Sequence, residues 1–145
     1  MSTIIKFFVA PDHAAAAAVV DVGPDDFFES LTFGNFDAEG ALIEWESIFT
    51  GQTFEDLVAA DVPKVVADPG EGEGPVVLAA SRALQDALTV ADEQRLVEVS
   101  RVWVAERSAD GEVFDEGIAL WILSGLADLL CAIGRKPQSL YCWSA

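Results

Sequence analysis

The longest apolar pattern in the chain runs near its end, from Asp115 to Trp143. Ile118, Ile122, Leu123, Leu126, Leu129, Leu130 and Ile133 recur at helical spacing on one broad face, while Gly117, Ser124, Asp128 and Arg135 fall on a narrow stripe opposite. The spacing predicts a long helix with only that stripe in water. Asp115 is placed to cap its start, Gly134 to end it in the left-handed conformation, and Arg135 and Lys136 to meet the negative end of its dipole. Pro137 forbids continuation, and Gln138 to Trp143 then alternates, Leu140 and Cys142 against Tyr141 and Trp143, as a closing strand. Gly117 to Gly134 would extend roughly 27 Å as a helix, so a membrane span must be weighed. Asp128 near its middle would cost roughly 2.5–3.5 kcal/mol in a bilayer, which favours a buried core helix.

Upstream, Thr3 to Ala10 is apolar on both faces and predicts an interior strand. Pro11, Asp12 and the alanines from Ala14 to Ala18 predict a helix of about two to three turns, closed by Gly23 and Pro24. Asp25 to Phe36 fits neither period and reads as irregular or strand-like. Asp37 then caps a helix whose apolar positions are Leu42, Trp45, Ile48 and Phe49, with Glu39, Glu44 and Glu46 largely off that face, and Gly51 ends it. Thr53 with Asp56 resembles a capping box opening a short helix to Ala60. Val62 to Ala67 suits an edge strand because Pro63 lacks a donor. Residues 68–75 form an acidic Gly/Pro-rich loop, followed by a short strand over Val76 to Ala79. Ser81 caps a helix over Arg82 to Leu88, and Asp92 a longer one to about Glu106, carrying Leu96, Val97, Val99, Trp103 and Val104 inward and a Glu98–Arg101 pair outward. Asp110-Gly111 marks the turn before the final helix.

These elements fit one α+β domain over residues 1–145, a small mixed or antiparallel sheet packed against several helices, with helix content exceeding strand. A chain of this length buries roughly 68–70% of its unfolded surface and needs no disulfide or metal to fold. Charge narrows the partners. Twenty-five acids against 8 bases give a formal charge of −17, which argues against direct nucleic-acid or membrane binding. Residues 1–72 carry −12 of it and residues 73–145 only −5. Cys131 and Cys142 lack metal or redox spacing, so both are expected as packed thiols in a reducing, cytoplasmic setting, with a disulfide between them disfavoured.

Candidate chemistry is sparse. Glycines 70, 72 and 74 have the wrong spacing for a phosphate loop, and the intervening glutamates would repel phosphate. Asp68, Glu71 and Glu73 match no calcium-loop spacing and read as a solvated loop. His13 is the sole histidine, placed at a strand-to-helix junction; it is either a helix-start residue or part of a site, with Cys142 as the nucleophile to consider beside it. Glu44 and Glu46 diverge by about 200° on a helix and cannot form a dyad there. Asp25, Asp26 and Glu29 converge only if their segment is helical. Trp121 lies beside the Ser124 and Asp128 stripe, where it is either covered by another segment or forms a partner surface or pocket edge. No catalytic, cofactor-binding or metal-binding residues are assigned; the candidate binding residues are Trp121, Ser124, Asp128 and His13.

The segment Ile43-Glu44-Trp45-Glu46-Ser47-Ile48-Phe49-Thr50-Gly51 resembles the helical Trp segment of the YfbM-like family of bacterial proteins. Val76-Val77-Leu78 leads into two helices, then a long helix ending in glycine and a last hydrophobic strand, so the resemblance extends from about Phe36 onward. It implies a cytosolic, single-domain, mixed α/β protein and brings no activity, cofactor or site residue. Three functions follow as expectations. The first is a small acidic cytosolic interaction or regulatory protein without catalysis. The second is a small-molecule enzyme or binding protein with a pocket near His13 and the last strand. The third is an acidic decoy for a basic nucleic-acid-binding partner. Neither a protein partner nor an oligomeric state is identified by the residues alone.

Overall fold

The last strand organises the sheet. β5 (Ser139–Ser144) lies between β1 (Ile4–Ala10) and β4 (Val76–Ala79), with β2 (Ser30–Gly34) outside β1 and β3 (Lys64–Ala67) outside β4, in the order β2-β1-β5-β4-β3. Each neighbouring pair is antiparallel. The computed structural model describes residues 4–34, 36–68, 75–109, 111, 115–132 and 138–145. Ile133, Gly134 to Pro137, Asp110 and most of the 68–75 loop therefore lie outside the described residues.

β5 alternates as its sequence requires. Leu140 and Cys142 join Ile5, Phe7, Val9 and Leu78 in the larger core, while Tyr141 and Trp143 join Phe8, Ala10, Val77 and Ala79 in the smaller one. Helices cover the first face: α2 (Ala38–Thr50), α4 (Arg82–Val90), α5 (Glu93–Ala109) and α6 (Glu116–Ala132). The second face is covered by α1 (His13–Ala17) with Val19, Val20 and Phe28. α3 (Phe54–Ala59) packs beside α2 and buries Leu57. This is one α+β arrangement in which helix exceeds strand, as the apolar periods predict.

Four of the caps form where the sequence places them. Thr53, Ser81, Asp92 and Asp115 accept backbone N–H groups of Asp56, Leu84, Arg95 and Gly117 at 3.1, 3.1, 2.8 and 2.6 Å. Gly51 ends α2 with φ 79°, a conformation that favours glycine. Asp37 precedes α2 without a side-chain cap bond. Asp12 caps α1, but the helix stops after Ala17 instead of running two to three turns. Beyond it the backbone tightens to three-residue bonds such as Val20 N–H to Ala17 O, and the Trp143 indole donates to the Val20 carbonyl at 2.8 Å. That pulls Val19 onto the sheet and satisfies an acceptor that further helix would have used.

Several inward and outward assignments change. Ile118, expected on the apolar face of α6, is half exposed, and the helix buries Ala119 and Ala127 instead. Glu44 and Glu46 are buried rather than solvated: Arg107 pairs with Glu44 at 2.6 Å, and Ser81 donates to Glu46. On α5, Glu98 pairs with Arg95 at 2.6 Å, not with Arg101. Arg95 also reaches the Ile48 and Phe49 carbonyls at 3.3 and 3.4 Å, placing its cation at the C-terminal end of α2. Among the described residues, no helix is long and apolar enough to cross a membrane.

Candidate functional site

α6 crosses the helix-covered face of the sheet and reaches its β2 border. Gly125 permits the close approach: a Cβ there would stand 3.0 Å from Leu31 Cδ1 and 3.8 Å from Phe33 Cζ. One turn earlier, Trp121 meets Phe33 edge-on, with ring centroids 5.0 Å apart at 89°. Despite that contact, Trp121 remains 64% exposed. No described segment covers it in the way a buried aromatic requires.

Between α6 and β2 lies an open groove of about 470 Å³ lined by Trp121, Ser124, Gly125, Asp128, Leu129 and Ala132 on the helix side. Leu31 and Glu29 line it from β2 and the residue before it. Trp121, Ser124 and Asp128 therefore share one site, as their helical spacing predicts. Glu29, Leu31 and Gly125 were not legible as members, although a glycine inside an apolar helix is a signal of close backbone approach. Among the described residues, neither Glu29 nor Asp128 has an ion-pair partner. The carboxylate at the start of the adjoining turn is occupied: Lys6 and then Ser30 hold Asp25 below the usual carboxylate range. The site thus offers an apolar floor, an aromatic wall, a hydroxyl and two unneutralised carboxylates. This set can hold a cation with an aliphatic stem.

His13 lies elsewhere. Its Nδ1 is 2.8 Å from the Tyr141 hydroxyl on the smaller-core face of the sheet. Burial, and then the charge of Asp12, raise the Tyr141 pKa, so that phenol stays protonated. Cys142 points into the opposite core, which separates it from His13, and burial pushes its thiol far above the ordinary range. A Cys142–His13 pair is therefore ruled out. Cys131 contradicts its expected packing: it is exposed on α6, and both cysteines are free thiols. In native protein a thiol-reactive dye is expected to label Cys131 quickly and Cys142 only after denaturation, giving one reactive thiol and then two. Asp25, Asp26 and Glu29 do not share a helix. Among the described residues, no group of His, Cys, Asp and Glu is arranged to hold a metal ion.

Two other surface grooves lie along α5 and between α4 and α2. Neither is lined by an exposed aromatic, and in the second the Arg95 guanidinium already pairs with Glu98 and stands 5.5 Å over Phe49. Comparison of the chain with protein-family models, curated proteins and solved structures finds no match.

Proposed function

We infer that this is a small non-catalytic interaction protein of the cytosol that binds a partner through the groove between α6 and β2. The exposure of Trp121 carries the reading. Leaving a tryptophan 64% exposed forfeits apolar burial that a covering segment would supply, and aromatic side chains concentrate at the energetic centres of protein interfaces. Trp121 also stands in a defined groove with two polar residues of its own helix, which gives a partner both apolar area and direction.

The test compares wild-type and Trp121→Ala chains as baits, with far-ultraviolet circular dichroism to establish that both are folded. Trp121→Ala is expected to lose proteins that the wild type retains, while Val90→Ala, at an 82% exposed position on α4, retains them. Equal retention by all three baits, or substrate turnover that His13→Ala abolishes, would overturn the reading.

A further inference from the structure

The two borders of the sheet are built differently. β3 is guarded by Pro63 before it, by Lys64 at its start and by a register shift between Val65 and Ala67. β2 has none of these. It pairs with β1 in unbroken register from Ser30 to Gly34, and contains no proline, lysine or bulge. Among the described residues, no backbone hydrogen bond reaches β2 from any element other than β1. In an antiparallel border strand, alternate residues turn their N–H and C=O groups outward, where another strand can take them.

What lies beyond that border is the overhang of α6. Leu31 and Phe33 face the helices, opposite Phe7 and Ile5 in the register, and α6 contacts them through Gly125 and Trp121. A strand added outside β2 would run about 4.8 Å farther out, beneath the Trp121, Ser124 and Asp128 stripe. Alternate side chains of such a strand would enter the groove. The others would continue the outer face, where Thr32 and Gly34 are exposed.

Charge then selects the occupant. Glu29 and Asp128 line the groove without cationic partners among the described residues, and the whole chain carries −17. A second copy would bring the same two carboxylates to the same groove and a second −17. A lysine or arginine instead places its aliphatic stem on Leu31 and Leu129, and its charge beside the carboxylates and the Trp121 face. Resting on the interaction reading above, the geometry points to a partner of one kind: an extended basic segment of another protein that pairs with β2 as a sixth strand and sets alternate lysines or arginines into the α6 groove. Backbone pairing supplies the docking, and the groove supplies the choice of side chain.

The probe is a capped peptide, Thr-Lys-Thr-Val-Thr-Lys-Thr, which puts Lys, Val and Lys on one face of a strand. Titrated into the full chain and followed by amide NMR, it is expected to shift the Ser30–Gly34 resonances and slow exchange of alternate amides there. Replacing both lysines by glutamate should abolish binding, and methylating every internal peptide nitrogen should do the same while leaving the charge unchanged. Trp121→Ala and Asp128→Asn, both at exposed positions, should each weaken it about tenfold, and added salt should weaken it further. Equal binding by the methylated peptide, or by the glutamate peptide, overturns strand addition or charge selection respectively. Absence of binding by the lysine peptide overturns the proposal as well. So does concentration-dependent dimerisation that Trp121→Ala disrupts, because the groove then serves a second copy. In each case the bait comparison above still decides separately whether the groove binds a protein.

Discussion

Trp45→Ala is expected to lower the unfolding free energy by about 3–5 kcal/mol and the midpoint of thermal unfolding by roughly 6–20 °C. Trp45 is fully buried on α2, where it joins the sheet to the helical layer. Its ring lies 6.0 Å from Phe7 of β1, 6.3 Å from Phe36 and 5.2 Å from Trp103 of α5. Truncation removes contacts with three separate segments, and they cannot all close on the void together. Trp45→Phe distinguishes volume from ring contact. It keeps an aromatic surface and removes an indole N–H that has no hydrogen-bond partner among the described residues, so its cost should be only about 1–2 kcal/mol. Urea unfolding followed by far-ultraviolet circular dichroism measures both, since tryptophan fluorescence changes with the substitution itself. Equal losses for the two variants would show that the cluster depends on the indole rather than on filled space.

That cluster illustrates what a one-dimensional pattern carries. The spacing of Leu42, Trp45, Ile48 and Phe49 identifies α2, and its inward face follows directly. The alternation of Leu140, Tyr141, Cys142 and Trp143 places β5 between two apolar layers, and Pro63 places β3 at a border. The caps are local, so Thr53, Ser81 and Asp115 are legible too. Failures occur where the deciding partner is distant in sequence. Ile118 satisfies the apolar period of α6 yet is half exposed, while its neighbour Ala119 is fully buried. Cys131 is exposed near the other end of the same helix. Glu98 pairs with Arg95 rather than Arg101 because Arg95 is held beside the carbonyls that end α2.

The groove divides along the same line. Trp121, Ser124 and Asp128 lie on one helix, so spacing alone unites them. Glu29 and Leu31 come from a segment with no clear period, and only the β1–β2 register brings them opposite α6. His13 is visible as a singular residue, yet the side chain it hydrogen-bonds, Tyr141, is 128 positions away. Its contact is with the sheet face opposite the groove, which separates the two sets of candidate residues.

Arg107→Met should cost about 2–4 kcal/mol near neutral pH, and the loss should shrink in acid. The pair it breaks joins α5 to α2: Arg107 Nη2 is 2.6 Å from Glu44 Oε2, with the carboxylate side chain 9% exposed and the guanidinium side chain 21% exposed. Burial is the largest influence on Glu44 and raises its pKa above the ordinary 4.5. Arg107 and then Trp103 oppose that rise, while Glu106 and Asp37 add to it. The folded chain therefore keeps this proton to higher pH than the unfolded chain does. Stability from the group is complete below 4.5 and is lost as pH rises through the raised folded value. Methionine preserves most of the stem packing but removes the largest counterweight, so the Glu44 value rises further and the loss extends to higher pH. Urea unfolding of both chains between about pH 5 and pH 8 is expected to show a gap that widens with pH. Glu44→Gln in the same background should flatten that widening, because no carboxylate is then left to ionise. A gap independent of pH would assign the cost of Arg107→Met to lost packing, with no contribution from the buried charge.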